Sequence, residues 1–291
     1  MKILITGAKG QLGRDCAQVL GAAHAVSAFG SRELDIGDRA AVTDLMGSGY
    51  DLVLNCAAYT AVDGCETDRE QCWRVNADGP GILAAACARQ GSRLIHISTD
   101  YVFDGAKPPP RGYTEEDPVG PLSRYGLSKL EGERRIREQT PDHLIIRTAW
   151  LYGIGGRNFL KTMLRLAVGN PKRPIRVVND QFGSLTWTRR LAGQIRVLID
   201  SGLAGTIHAT AEGSGTWYEG ARLFLEAMGV QFTIEPCTTA EYPTPARRPV
   251  NSILENGILK KTGLNRMVPW EEDVLEFARV HREELLAEAR G

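Results

Sequence analysis

The sequence predicts an α/β fold: a Rossmann-type, doubly wound parallel sheet followed by a smaller C-terminal α/β substrate-binding lobe. Three observations carry that expectation. Over residues 1–150, short apolar runs alternate with stretches of helical periodicity, the pattern of parallel strands joined by crossover helices. The first run passes directly into Gly7-Ala-Lys-Gly10-Gln-Leu-Gly13, a glycine turn set between a strand and a helix. A later helix carries Tyr125 and Lys129 one turn apart on the same face.

Residues 2–6 are a continuous apolar strand, and a helical pattern follows the glycine turn to about residue 20. The spacing is G-x-x-G-x-x-G rather than G-x-G-x-x-G, but the physics is shared. Gly7 permits the tight turn, Gly10 lets the backbone approach a pyrophosphate, and Gly13 lets helix pack on strand. The pyrophosphate would rest on the helix N-terminus, where free N–H groups point. The competing reading is a glycine-rich turn with no ligand, and the strand–turn–helix context weighs against it.

Residues 24–29 form the second strand, which runs into Gly30-Ser31-Arg32-Glu33. Ser31 and Arg32 suit a ribose 2′-phosphate and favour NADP, whereas Glu33 leaves NAD open. An ordinary solvated charge is the alternative for Arg32. A helix over 38–46 leads to the third strand, 51–55, which ends in Cys56-Ala57-Ala58-Tyr59-Thr60. Small residues at a strand's carboxyl end let a flat ring come close, although Ala57 and Ala58 could equally pack on a helix. Residues 65–90 read as helical with Asn76 inside, and 93–98 as the fourth strand. Thr99, at that strand's end, can hydrogen-bond a substrate oxygen, while His96 lies mid-strand in an apolar run and reads as core.

Residues 104–122 form a loop rich in Pro, Gly and acids, which the helix over 125–139 and a fifth strand over 143–148 follow. Tyr125 and Lys129 form a donor pair suited to reversible carbonyl reduction. A free phenol titrates near about pH 10, and a neighbouring ammonium favours the phenolate and brings the pKa down. Y-x-x-x-K alone is weak and fits a plain surface helix; the opening glycine turn is what makes it informative. Beyond residue 153 come helices near 157–168, 188–200 and 270–286 and a short strand at 175–178. These pieces look too irregular to extend the large sheet. The expected division is therefore a nucleotide-binding domain over 1–153 and mainly a substrate lobe over 154–291, with some segments of the latter returning to the first domain.

Composition narrows the class. Lys+Arg and Asp+Glu are both 35, so no basic excess points to nucleic acid, and no basic amphipathic stretch points to a membrane surface. No apolar run approaches the roughly 18 residues of a membrane span. Met1-Lys2 leads straight into a core strand, so no signal peptide is expected. Six cysteines form no C-x-x-C pair, and Cys56 and Cys87 read as buried thiols, which fits a reducing cytoplasm.

Taken together, these motifs resemble the extended short-chain dehydrogenase/reductase superfamily and, within it, the bacterial dTDP-4-dehydrorhamnose reductase family. The stretches that carry the resemblance include Thr6-Gly-Ala-Lys-Gly-Gln-Leu-Gly13, Ser98-Thr-Asp-Tyr-Val-Phe-Asp-Gly105, Tyr125-Gly-Leu-Ser-Lys129, Arg147-Thr-Ala-Trp-Leu-Tyr-Gly153, Asn179-Asp-Gln-Phe-Gly183 and Ala246-Arg-Arg-Pro-Val-Asn-Ser252. The resemblance implies reduction of the C4 ketone of dTDP-6-deoxy-L-lyxo-4-hexulose (dTDP-4-dehydrorhamnose) to dTDP-L-rhamnose, with NADPH, or NADH, as hydride source. It implies that Gly10, Gln11 and Leu12 contact the pyrophosphate, Asp35 and Ile36 flank the adenine, and Ala58, Tyr59 and Thr60 line the nicotinamide side. Tyr125 would be the proton donor and Lys129 would hold the nicotinamide ribose. Thr99 and Asp100 would bind the sugar near its reacting oxygen, Trp150 would pack on the sugar or its phosphate arm, and Asn158, Gln181 and Arg247 would serve the nucleotide end.

There are departures. Leu185 replaces a usual proline, and Ser123 stands where Asn is common. Some members bridge a dimer through Mg²⁺ held by acids. Asp15 could contribute, but Arg189 and Arg190 stand where a partner acid belongs, so Mg²⁺ is doubtful and no metal residues are assigned. A monomer or a homodimer both fit. The alternative activities are a nucleotide-sugar epimerase or dehydratase and a non-catalytic NADP-binding regulatory subunit.

Overall fold

A computed structural model describes residues 1–291. In chain order the first half comprises β1 (Lys2–Thr6), α1 (Gln11–Gly21), β2 (Ala25–Phe29), α2 (Arg39–Met46), β3 (Leu52–Asn55), α3 (Gly64–Thr67), α4 (Arg69–Trp73), α5 (Gly79–Gln90), β4 (Arg93–Thr99), α6 (Arg124–Gln139) and β5 (His143–Thr148). The second half adds β6 (Leu151–Tyr152), α7 (Phe159–Gly169), β7 (Ile175–Val178), β8 (Phe182–Gly183), β9 (Thr186–Trp187), α8 (Thr188–Leu198), β10 (Gly205–His208), β11 (Gly215–Thr216), α9 (Trp217–Met228), β12 (Ile234–Cys237), α10 (Gly257–Lys261) and α11 (Trp270–Arg290).

The apolar runs form one six-stranded parallel sheet in the order β10-β5-β4-β3-β1-β2. Side chains alternate across it, as strand geometry requires. Ile3 and Ile5 face α1 and α8 with Leu12, Cys16, Leu191 and Ile195. Leu4 faces the other side with Val42, Met46, Leu83 and Ile136 from α2, α5 and α6. Strands buried on both faces have no polar side, which is why they read as continuous apolar runs. The chain leaves β1 toward β2 on one side and returns to β3 on the other. The gap between the carboxyl ends of β1 and β3 is thus the topological switch point, where open α/β sheets bind ligands.

The second half differs from its reading in one respect. It does extend the sheet: β10 pairs with β5, Ile207 beside Ile146, and α8 covers the face that α1 shares. Only Ile207 is strongly apolar in Gly205-Thr-Ile-His208, so a four-residue edge strand left little periodicity to read. Apart from α10, whose Leu259 joins the first core, the remaining second-half elements build a separate core of Leu160, Leu164, Phe224, Leu225, Val274 and Phe277 with three two-stranded sheets. The run over 65–90 is not one helix either. It breaks at Asp68 and carries a π-helical turn at Arg74–Asp78, which turns Asn76 inward.

Helix α6 is tied to the sheet by charge. Glu133, fully buried, accepts hydrogen bonds from Arg147 Nε at 2.9 Å and Nη2 at 2.8 Å, and from Ser98 Oγ at 2.6 Å. Removing one partner of a buried ion pair strands the other charge. Glu133→Gln should therefore lower unfolding stability by about 3 kcal/mol. Urea denaturation near neutral pH reads the loss, and a change within about 0.5 kcal/mol would mean that this bond does not anchor the helix.

Candidate active site

Two backbone approaches make the cleft. Gly7 takes φ +67°, and a Cβ there would lie 2.6 Å from the Ala57 nitrogen, so the turn after β1 lies directly against the segment after β3. A Cβ on Gly13 would lie 2.3 Å from the Gly7 oxygen, so only glycine lets α1 start this close to the strand. Gly10, the N-cap of α1, has no side chain to cap the helix. Its first-turn N–H groups are left to meet an anion, and the turn fits a dinucleotide pyrophosphate.

A cleft of about 820 Å³ runs from this turn past the switch point to α6. It is lined by Gly7, Gly10, Gln11, Leu12, Gly13, Ser31, Asp35, Ile36, Ala57, Ala58 and Thr60, and at its other end by Thr99, Asp100, Tyr125, Lys129, Trp150 and Asn158. Four expected residues lie outside that lining. Arg32 is exposed beyond the rim. Tyr59 offers backbone instead: its N–H donates to Asn76 Oδ1 at 2.9 Å and its carbonyl accepts from Asn76 Nδ2 at 3.0 Å. Gln181 is buried and donates to Thr239 at 3.0 Å. Arg247 is exposed, whereas its neighbour Arg248 reaches across to Asp63 with bonds of 3.1 and 3.0 Å, because consecutive residues of an irregular strap point in different directions.

At the adenosine end Glu33 is already engaged, accepting from Lys9 Nζ at 2.6 Å and from the Gly30 N–H at 2.7 Å. Asp35 accepts from Gly37 N–H at 2.9 Å and pairs with Arg74. Asp15, weighed for a metal, is turned into its own chain, where it accepts from Thr188 Oγ1 at 2.5 Å. No cluster of three His, Cys, Asp or Glu residues is arranged to hold a metal ion.

At the opposite end Ser123 caps α6 by accepting from the Gly126 N–H at 3.1 Å. A Cβ on Gly126 would lie 2.2 Å from the Tyr101 oxygen, so the first turn of α6 is drawn against the segment after β4. This leaves Tyr125 8% exposed, its ring edge-on to Tyr101 at 5.5 Å. The electrostatics differ from the sequence expectation. Lys129 does not address the phenol: its Nζ donates to the Ile97 carbonyl at 2.7 Å and lies 3.3 Å from His96 Nε2. Burial, followed by the Asp100 carboxylate, pushes the Tyr125 phenol up, and the Thr99 hydroxyl opposes part of the rise. Burial pulls the Lys129 amine down to about 8. The physical reason is that both groups are dry, and Glu133, the opposite charge facing Lys129, is already engaged by Arg147 and Arg137 and only partly offsets the burial.

Thr99 donates to Asp100 Oδ1 at 2.8 Å, while Asp100 Oδ2 is buried without a hydrogen-bond partner. Ser252 moderates the Asp100 titration without reaching bonding geometry to that oxygen. A bare buried acceptor lining a cleft suits a ligand hydroxyl. Trp150 is the one non-glycine residue at positive φ, +48°, and its ring stacks on Trp217 at 3.7 Å. Asn158 caps α7 and donates to Gln11 Oε1 at 3.0 Å, joining the lobe to the glycine turn. Sequence reasoning missed Asn76, Trp217 and Lys9. Trp217 had a signal in the Thr216–Glu219 capping box, which marks a helix start beside the cleft.

Burial pushes the Asp100 carboxyl up to about 6. An acid raised in this way contributes stability below its ordinary pKa and loses it as pH rises through about 6. Asp100→Asn should then stabilise the fold by about 3 kcal/mol near pH 8 and by about half that near pH 5. Denaturant midpoints at the two pH values check this, and an equal gain at both would contradict it.

The chain matches the family model described as "RmlD substrate binding domain" over residues 1–282. It is 42% identical over 275 residues to a dTDP-4-dehydrorhamnose reductase of Mycolicibacterium smegmatis, covering 93% of this chain and 83% of that protein. Its structure superposes with TM-score 0.92 on a dTDP-4-dehydrorhamnose reductase of Clostridium acetobutylicum, at 41% identity over 96% of this chain and 99% of that one. The same TM-score, 0.92, relates it to the Bacillus anthracis protein of that name solved in complex with NADP, at 36% identity over 96% and 99% of the two chains.

Proposed function

The chain belongs to the dTDP-4-dehydrorhamnose reductase family, and from that premise we infer that it reduces the C4 ketone of dTDP-4-dehydrorhamnose to give dTDP-L-rhamnose, using NADPH. One observation carries the reading: the uncapped start of α1, the Thr99–Asp100 pair and the Tyr125 phenol open onto one cleft. When bound, NADPH supplies the hydride.

The chain's own residues supply binding, orientation and a proton. The first turn of α1 and the backbone of Gly10, Gln11 and Leu12 take the pyrophosphate. Ser31 at the rim takes a ribose 2′-phosphate in this reading, which the pairing of the competing acid Glu33 with Lys9 on the same rim supports. Asp35 and Ile36 border the adenine, and Ala57, Ala58 and Thr60 border the nicotinamide. Thr99 hydrogen-bonds the sugar near C4, and Asp100 Oδ2 accepts from a sugar hydroxyl. Trp150 covers the sugar or its phosphate arm. Tyr125 gives its proton to the oxygen at C4, and its raised pKa keeps the phenol protonated for the reducing direction.

Residues 1–153 thus serve mainly the cofactor and 154–291 mainly the sugar nucleotide. Six free cysteines fit a cytoplasmic setting, in which the protein works as a monomer or homodimer. No helix is long and apolar enough to cross a membrane.

Tyr125→Phe removes the donated proton and little else. Its turnover of dTDP-4-dehydrorhamnose, followed as NADPH absorbance, should fall by roughly 10²–10⁴ while NADPH affinity stays unchanged. A phenylalanine variant with full turnover would remove Tyr125 from the mechanism.

A further inference from the structure

A chain of buried hydrogen bonds joins the glycine-turn strand to the lysine of α6. Thr6 Oγ1 and the Ala57 N–H both approach Asn55 Oδ1, at 2.6 and 3.1 Å. A backbone N–H can only donate, so the Asn55 atom facing it is the oxygen. The Asn55 amide nitrogen therefore faces His96, and it lies 2.9 Å from Nδ1. An amide NH₂ also donates, so Nδ1 accepts and carries no proton. A neutral imidazole then carries its proton on Nε2, which lies 3.3 Å from Lys129 Nζ. An ammonium has no lone pair to accept that N–H; an amine has one.

We propose that His96, fixed by Asn55 as its Nε2–H tautomer, is the positioning residue that disfavours the ammonium of Lys129 and holds it as a neutral amine in the free protein at alkaline pH, where dinucleotide binding transfers one solvent proton to Lys129. The amine accepts from His96 Nε2–H and donates to the Ile97 carbonyl. Both residues are essentially fully buried, His96 at 0% and Lys129 at 1% exposure. The groups facing Lys129 are few. Glu133 on its own helix is held by Arg147, Arg137 and Ser98. Cys56 follows β3; Cys72 on α4 has its thiol drawn down by its contact with Cys65; Tyr125, one turn back, is pushed up by burial; and His96 on β4 is held neutral by burial. Burial draws the Lys129 pKa down to about 8, so the amine that this hydrogen-bond polarity requires predominates above that pH.

A bound dinucleotide changes this balance. Its phosphates are negative and its ribose hydroxyl oxygens accept hydrogen bonds, and both favour the ammonium. The inference rests on the reading that this cleft binds NADP(H), and the experiment separates the two.

Nitrogen NMR of the cofactor-free protein labelled at histidine should show His96 with its proton on Nε2, whereas a proton on Nδ1 or on both nitrogens overturns the proposal. Calorimetric titration with NADP⁺ in buffers of different ionisation enthalpy should show uptake of about one proton per chain near pH 9 and almost none near pH 6. By linkage, affinity should weaken by up to about tenfold per pH unit above about pH 8. Lys129→Met should bind NADP⁺ more weakly, with the uptake abolished in the binding that remains. His96→Gln, which can turn a carbonyl toward Lys129 and favour the ammonium beforehand, should bind with the uptake largely lost. Binding without uptake in the wild type, or undiminished uptake in either variant, overturns the proposal. Failure of the wild type to bind NADP⁺ at all overturns the functional reading instead, while the NMR result still decides the His96 tautomer.

Discussion

The attachment of α6 to the sheet is the constraint on which the site depends. A catalytic phenol is useful only if its oxygen is fixed to within a fraction of an ångström of a reacting atom, and a helix packed by apolar contacts alone can slide. Here Glu133 is bonded to Arg147 on β5 and Ser98 on β4, so the helix is registered against two adjacent strands. Glycines set its distance: a Cβ on Gly132 would lie 2.3 Å from the Asn76 oxygen, and one on Gly126 would meet the Tyr101 oxygen. The π turn at Arg74–Asp78 completes the arrangement. Asn76 binds the Tyr59 backbone and donates to Ser128 Oγ at 3.1 Å, so one buried amide fixes the segment after β3 to the face of α6. π turns are rare inside helices and concentrate at functional sites, and this one places a side chain that regular helix would have turned elsewhere.

The first half was legible because its local and global signals agree. Strand, glycine turn and helix each have a distinct period, and both glycine approaches have the close contacts their spacing implies. The site's directions were less legible. The sequence places Tyr125 and Lys129 on one face but says nothing of which partner the lysine chooses. Ile97 and His96 come from β4, a strand whose apolar pattern makes His96 look like filler. His96 is core, as read, and it also touches Lys129. Arg247 and Arg248 show a related gap. Adjacent residues in an irregular strap diverge, and only coordinates decide that Arg248 meets Asp63. The fold of the second half is carried by short strands such as β8, β9 and β11, two residues each, too short for any period to register.

Strain in the lobe is concentrated where ligand contact is expected. Trp150 holds a left-handed backbone that costs a non-glycine residue roughly 1 kcal/mol or more. Its ring is clamped between Trp217 on one side and Gly183, where a Cβ would come within 2.5 Å, on the other. Three distant segments, after β5, at β8 and at the start of α9, thus spend packing energy to set one indole against the cleft. An exposed tryptophan held by stacking alone would adopt a relaxed backbone, so the arrangement over-determines the ring's position.

Tyr125 and Lys129 on α6 are pushed toward neutrality from opposite directions. Burial raises the phenol and lowers the amine, because each loses water, the phenol gains no opposite charge and the carboxylate facing the amine, Glu133, is already held by arginines. Tyr125 and Lys129 as an ion pair would place two desolvated charges in a site without further partners, and such pairs seldom recover their desolvation cost. A neutral pair avoids that cost and keeps the phenol proton available. In the proposed complex the missing charge comes from the ligand: phosphates would lie at the start of α1, and ribose hydroxyls would add hydrogen-bond acceptors within reach of the lysine. The site is therefore electrostatically incomplete by itself, and the same burial that fixes the geometry of α6 makes the protonation of its lysine answer to what fills the cleft.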